Sequence, residues 1–455
     1  METNPLLANA LDLDRWADTL ESRGAFPELM RRLLEQTPGV TNIDIRAHEG
    51  IAAPGWDGTA TSDGSSFLPK GELRFEFGTN KQPKTKATED YNNRAEKVTG
   101  KSDEIFVFVT PRNWANGASW AKERRQEGVF ASVKAYDAHR LEGWLQSTPA
   151  VHYWISEQIG KPVSGAQTLT SWWEQLRRNC TIEVIHEFHT AGRQEDVEKF
   201  TEILKVKGTV PTVQAAWRND AIAFCFAVLK ENDYARLERT LLVFDKKSWN
   251  QLVIQPSSLN LIPVFDDPDI GLALKKGHSV LKVIDDLGYS REKHSFIRLR
   301  KVGRAEARNM LCRMKLGVRQ ADEWAALARR SMNAFYRNIA LDSQRKNPQW
   351  VLNHEIAETL APLVLVGEWE DGNQQDWREI EGFIGTDSRQ IKKLLNKASA
   401  VSPDDPPFVQ AAGRWSVVDA IDAAKLLLPH ISEQCLSRWK EYVMYVIGLN
   451  DRFEA

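Results

Sequence analysis

Only four cysteines are spread over 455 residues, and no two stand in a Cys-x-x-Cys spacing. Cys180, Cys225, Cys312 and Cys435 therefore offer neither a structural zinc site nor a disulfide framework, and scattered thiols suit a reducing cytoplasm. Excess charge of either sign is missing too. Sixty Lys and Arg against 62 Asp and Glu leave a formal net charge of -2. That excludes coating of nucleic acid by bulk attraction, so any such contact must use local basic patches. The longest apolar run, residues 221–229, falls well short of the about 20 residues that span a bilayer. The opening Met1-Glu2-Thr3-Asn4-Pro5 has no basic region and no apolar stretch after it, so no secretory signal is expected. No fixed-period repeat is visible.

What is present describes a globular, multi-domain chain. Hydrophobic residues make up 42% and charged residues 27%, which excludes a disordered or collagen-like chain. The length predicts roughly three domains, at about 150 residues each. Sixteen tryptophans, many on amphipathic segments, read as packing anchors.

The apolar periodicity predicts helix over residues 1–38, stopped by Thr37-Pro38-Gly39. A strand is expected over 42–47. Residues 71–79 alternate, with Leu73, Phe75 and Phe77 on one face and Arg74 and Glu76 on the other. Helix is expected over 84–98, a buried strand over 105–110, helix over 117–127, strand over 133–136 and a Trp-rich helix over 141–158. This order predicts an α/β domain over 1–160, with a Pro/Ser/Gly linker at 161–167.

Within that domain two carboxylates draw attention. Asp57 lies in Pro54-Gly55-Trp56-Asp57-Gly58, where flanking glycines imply a tight turn that presents the side chain. Glu76 lies on the polar face of the alternating strand, and the turn signal Ser62-Asp63-Gly64-Ser65 between them predicts a hairpin that unites the pair. Clustered carboxylates are what a divalent ion needs in phosphodiester hydrolysis, where it neutralises charge and activates water. Each feature has a bland explanation as well. An Asp in a turn usually caps it, an outward Glu is usually solvated, and a Lys-rich helix is usually a solvated face. Asp63 and Glu72 compete as carboxylates, and Glu49 is a further acidic candidate.

The arrangement resembles the PD-(D/E)XK nuclease superfamily, in which an Asp precedes a strand carrying Glu-X-Lys. The wider run of Gly55-Trp56-Asp57-Gly58, Phe75-Glu76-Phe77-Gly78-Thr79, Lys86-Ala87, Asp90-Tyr91 and Phe108-Val109-Thr110-Pro111-Arg112 is similar to nuclease-like N-terminal domains of large bacterial defence proteins. The resemblance covers about residues 40–160. It implies a restriction-endonuclease-like fold, a metal (Mg²⁺ or Mn²⁺) on Asp57 and Glu76, and DNA, double-stranded, as substrate. Gly78 stands where the Lys should be. Some superfamily members carry the Lys on the following helix, which makes Lys86 the expected replacement, with Lys81 and Lys84 as alternatives. Lys81, Lys84, Arg94 and Arg112 are candidate nucleic-acid contacts, though Arg112 could equally satisfy local carbonyls.

A second α/β region is expected over 168–302, with strands at 209–215, 240–244, 259–265, 279–284 and 296–300 separated by helices, a pattern that suggests a parallel sheet. It resembles the nucleotide-binding core of STAND-type ATPases. Where those carry a Gly-rich phosphate loop, this chain reads Val213-Gln214-Ala215-Ala216-Trp217-Arg218-Asn219-Asp220, with no Gly and no Lys. The resemblance thus implies an ATPase-like scaffold without ATP. Asp245, Asp266, Asp267, Asp285 and Asp286 are strand-end carboxylates that could bind something but are more often turn residues. A helical lid over 303–348 and a winged-helix-like domain over 349–430 fit the same order. A further helix begins over 431–455, as if the chain were a piece of a longer one.

The combined expectation is a cytoplasmic DNA endonuclease effector of an anti-phage protein, with no membrane association. It would be controlled through homo-oligomerisation and by a phage component or another activator. The competing expectation, raised by Gly78, is an inactive nucleic-acid-binding or protein-interaction scaffold.

Overall fold

Residues 105–109 (Ile-Phe-Val-Phe-Val) are apolar throughout, and both faces of this strand are buried. Ile105, Val107 and Val109 join one core with Leu13, Phe26, Leu33, Leu73, Phe75 and Trp144, while Phe106 and Phe108 join another with Tyr91, Trp114, Trp120 and Phe130. A strand without polar alternation is the one that can lie between two helical layers. The computed structural model describes residues 7–45, 55–161, 164–265, 267–284, 295–402, 405–411 and 413–450. It is mixed α/β.

The first elements are α1 (Ala10–Trp16), α2 (Glu21–Glu35), β1 (Val40–Ile45), β2 (Gly58–Ser62), β3 (Gly71–Phe77), α3 (Pro83–Ala95), β4 (Ser102–Val109), α4 (Gly117–Gln126), β5 (Phe130–Tyr136), α5 (Ala138–Ser147) and α6 (Pro149–Gln158). The five strands form one sheet in the order β1-β2-β3-β4-β5. β1, β2 and β3 run antiparallel, whereas β3, β4 and β5 run parallel. Helices α1, α2, α5 and α6 supply the core on one face of the sheet, α3 and α4 that on the other.

Three sequence expectations change in detail. The N-terminal helix is two helices, broken at residues 17–20, where Ser22 and Thr19 hydroxyls take up main-chain carbonyls. The Trp-rich helix is also two. Pro149 has no N–H to continue α5, so it starts α6 instead, and the Thr148 hydroxyl donates back to the Trp144 carbonyl at 3.0 Å. The strand expected at 42–47 runs over Val40–Ile45, and residues 46–54, Glu49 and Pro54 among them, lie outside the described residues.

The remaining strands are β6 (Ala166–Thr168), β7 (Thr212–Gln214), β8 (Thr240–Val243), β9 (Asn260–Pro263), β10 (Ser279–Val280), β11 (Lys282–Ile284), β12 (Phe296–Arg298), β13 (Glu368–Glu370), β14 (Phe408–Ala411) and β15 (Arg414–Val417). The chain divides into two units, residues 1–172 with 234–280 and residues 173–233 with 281–455. The stretch expected as one α/β domain over 168–302 contributes to both. In the first unit, β10-β9-β8-β6 form a sheet in which only β6 is antiparallel. In the second, β11-β7-β12 form a parallel sheet. Within the first unit, Glu238 is buried between Arg31 (2.5 Å) and Arg32 (3.0 Å) of α2.

In the second unit, the helix Arg218–Asn232 follows β7 and is buried from Asp220 to Leu229. Trp217 precedes it, with its ring 5.0 Å from that of Tyr336 and under the guanidinium of Arg345 at 4.8 Å. Asp220 is held by His189 (2.8 Å) and by both terminal nitrogens of Arg193, and His189 reaches the Tyr336 hydroxyl at 2.7 Å. Residues 304–346 form four successive helices. The stretch from 349 to 430 packs helices and the antiparallel sheet β13-β15-β14 around Trp350, Leu360, Trp369, Trp377, Leu394 and Trp415. Arg337 pairs there with Asp405 at 2.6 Å and with Asp422. Burial pushes the Asp422 carboxyl up to about 6 even beside that guanidinium. Asp266, Asp285 and Asp286 lie outside the described residues, while Asp245 caps the helix Lys246–Val253 through the Ser248 N–H.

Candidate active site

The β2–β3 register pairs Gly58 with Phe75, so Asp57, one step before β2, lies level with Glu76. The bond that fixes it runs from the Phe77 N–H to Asp57 Oδ2, at 2.8 Å. Strand alternation sends Leu73 and Phe75 into the core shared with α2 and leaves Glu76 on the side of α3. There α3 presents Lys86, Asp90 and Arg94, spaced four apart and so stacked along one helical face. Lys86 Nζ donates to Asp90 Oδ1 at 2.6 Å. Arg94 Nε donates to Glu76, its terminal nitrogen donates to the Gly55 carbonyl, and its guanidinium lies over the Trp56 ring at 4.8 Å. Trp56 is in turn wedged edge-on against Phe106 and Phe130.

Gly78 is where the sequence departs from Glu-X-Lys, and its surroundings give a reason. A Cβ at Gly78 would lie 2.8 Å from Phe108 Cζ and 3.1 Å from Lys86 Cγ. The Phe108 ring and the Lys86 stem thus both crowd the space where a side chain at position 78 would start.

The electrostatics follow from burial and crowding of like charges. Glu76 is 3% exposed. Burial, reinforced by the charges of Asp57 and Asp90, pushes its carboxyl up to about 8 despite Arg94. Burial likewise raises Asp90, whose Oδ2 has no hydrogen-bond partner among the described residues. Burial works against the charge on Lys86, but the bond to Asp90 and the charges of Asp90, Asp57 and Glu76 outweigh it, so its pKa is raised. Lys86 is thus an ammonium at neutral pH. It can stabilise negative charge and orient a water but cannot act as a base.

A cavity of about 610 Å³ opens beside this cluster. Its walls include Asp57, Gly78, Lys81 and Lys86 from the strand side and Asp18 and Arg23 from the α1–α2 side. Lys81 is exposed and stands 3.9 Å from Asp18. Lys84 is exposed on α3. Arg112 also borders the cavity, but its guanidinium donates to the carbonyls of Asp14, Ala17 and Thr79 and to Asp18 Oδ1, which makes it a clamp between the α1 end and β3. Asp63 and Glu72 are exposed at the far end of the β2–β3 hairpin, Glu72 accepting from the Thr61 hydroxyl at 2.9 Å, and neither lines the cavity.

Asp57, Glu76 and Lys86 are brought to one place, and Lys81 to the cavity rim. Asp90 stood in the sequence motif without a role and Asp18 was not singled out; Arg94, expected at nucleic acid, is bonded to Glu76. The four-residue spacing of Lys86, Asp90 and Arg94 was the available signal for Asp90 and Arg94.

A hard divalent ion suits this donor set, which is all carboxylate oxygen. Asp57 has one oxygen beyond the bond to Phe77, and burial holds the Glu76 carboxyl well above its ordinary range. Arg94 is the cation bonded to it. No group of three or more His, Cys, Asp or Glu among the described residues is placed to hold a metal. Compared with protein families and with characterised proteins, the sequence matches no family model and no relative. No helix among the described residues is long and apolar enough to cross a membrane.

Proposed function

We propose that the protein is a Mg²⁺- or Mn²⁺-dependent DNA endonuclease, of the PD-(D/E)XK kind that its motifs resemble. The observation that carries this reading is the place of Lys86. Its stem lies against Gly78, where the motif asks for a lysine, and its ammonium feels the charges of Asp57 and Glu76. Asp57 and Glu76 would hold the ion, which when bound supplies charge neutralisation and an activated water. Lys86, kept protonated by Asp90, would orient that water and stabilise charge on the phosphate. Asp57 is positioned by the Phe77 N–H, and Arg94 holds Glu76 in place through a hydrogen bond.

The motif order extends the proposal to a cytoplasmic effector of bacterial anti-phage defence. Its regulatory region would be STAND-like without ATP, followed by a winged helix, and would respond to a phage component or other activator through homo-oligomerisation. The buried Trp217, packed on Tyr336 where a phosphate loop would lie, supports an ATP-free scaffold. Saturable ATP binding in the micromolar range would contradict that part.

The test of the chemistry is degradation of double-stranded plasmid DNA with Mg²⁺ or Mn²⁺. Wild type should cleave and Asp57→Ala should not; equal cleavage by both refutes the site. One observation favours a second reading, a non-cleaving nucleic-acid-binding scaffold: Arg94 already occupies Glu76 as its counter-charge. Salt-sensitive DNA binding with no cleavage under any divalent metal would decide for it.

A further inference from the structure

The cavity beside Asp57 carries a charge balance unlike that of the chain. Six charged side chains line it: the cations Arg23, Lys81, Lys86 and Arg112 and the carboxylates Asp18 and Asp57. Four positive against two negative leaves an excess of two positive charges, in a protein whose formal net charge is -2. Two of the cations are already engaged: Lys86 is bonded to Asp90, and Arg112 to Asp18 and three carbonyls, while Lys81 stands exposed at 3.9 Å from Asp18. Arg23 is different. It is exposed on the first turn of α2, and its side chain makes no hydrogen bond or ion pair among the described residues.

An arginine that faces a cavity without a partner keeps its planar fork of donors free, and that fork matches the oxygens of a phosphodiester. The carboxylates present do not cancel it. Asp18 is held by Arg112 at 2.8 Å, and the Arg112 bond lowers its pKa, so it stays ionised and spent on that partner. Asp57 is tied to the Phe77 N–H.

We infer that Arg23, together with Lys81, forms an anion subsite for a phosphate of duplex DNA adjoining the one at Asp57 and Lys86. The geometry supplies two positive groups on the rim, one from α2 and one from the loop after β3, over a cavity large enough to admit a nucleotide unit. Phosphate contacts of this kind position the strand without reading its sequence. The identity of the ligand rests on the nuclease reading. The presence of an anion subsite does not.

The experiment separates the two. Binding of a fluorescent DNA duplex to the full chain is followed by anisotropy in EDTA, where no hydrolysis occurs, at salt concentrations from about 50 to 200 mM. Arg23→Ala should weaken binding several-fold and reduce the slope of log K against log salt by roughly 1, the loss of one phosphate contact. Arg23→Lys should keep the slope, and far-UV circular dichroism should be unchanged in both, since the side chain has no partner to lose. A slope and affinity for Arg23→Ala equal to wild type overturn the inference, as does a wild-type protein that does not bind duplex at the lowest salt. A changed slope in a protein that never cleaves would leave the subsite standing and remove the nuclease. Cleavage by wild type with no effect of Arg23→Ala would do the reverse.

Discussion

The Cγ of Lys86 lies 3.1 Å from where a Cβ on Gly78 would stand, so one helix residue occupies the origin of the side chain that the strand does without. The same hypothetical Cβ would be 2.8 Å from Phe108 Cζ, a ring held in the core by Trp114 and Trp120. The glycine is therefore required first by the Phe108 ring and only secondarily by the Lys86 stem. Gly78→Ala should destabilise the protein by about 1–3 kcal/mol, the ordinary range for overpacking a dense site. Urea unfolding measures this. A Gly78→Lys variant should be no more active than wild type, because the added stem and Lys86 cannot share the space.

Lys86 is the cation of the cluster that lines the cavity. Lys86→Ala should lower single-turnover cleavage by roughly 100- to 1,000-fold, the range for loss of one preorganised donor to developing charge. Lys86→Arg should recover only part, since a planar guanidinium does not replace a compact ammonium beside Asp90. Equal rates for wild type and Lys86→Ala would remove Lys86 from the chemistry and return attention to Lys81.

The elevated Glu76 gives a pH dependence of known sign. Its ordinary value is 4.5 and its value in the fold is about 8, so the folded protein holds that proton more tightly than the unfolded chain does. Its contribution to stability is full below pH 4.5 and is lost as pH rises through about 8. Melting temperatures of wild type and Glu76→Gln should diverge over that window, with wild type losing more as pH rises. Ion binding at neutral pH should release a proton, approaching one per site. Calorimetry in two buffers of different ionisation enthalpy reads it, and Glu76→Gln should abolish it.

In the second unit, Arg337 compensates two buried or half-buried carboxylates, Asp405 and Asp422, and Asp422 Oδ1 is already without a hydrogen-bond partner among the described residues. Arg337→Ala should cost about 3–5 kcal/mol, the usual penalty for stranding one side of a buried ion pair. Denaturant unfolding would show it, and the loss should shrink at pH 5, where Asp422, with a value of about 6, is protonated.

Much of the first unit could be read from periodicity. Residues 71–77 alternate and residues 105–109 do not, and those two patterns alone predict a half-functional strand beside a fully buried one. The pairing of Asp57 with Glu76 was legible from the turn signal between them. The Arg94–Glu76 bond was not, because a basic residue on a polar helix reads the same whether it faces water or a buried carboxylate. The division of residues 168–302 was illegible for another reason. Short parallel strands announce that they belong to a sheet, but nothing in Thr212–Gln214 or Asn260–Pro263 says which sheet.

The bond between α2 and Glu238 has a consequence for synthesis. Arg31 and its partner are 207 residues apart in the chain. A ribosome adding about 5–20 residues per second reaches Glu238 roughly 10–40 s after it has added Arg31. Over that interval Arg31 and Arg32 have Glu28, and Arg31 also Glu35, but not the buried carboxylate that completes them. The N-terminal part of the first unit is thus translated well before this contact can form, and the nascent chain carries α2 without its buried counter-charge while the intervening residues are still being made.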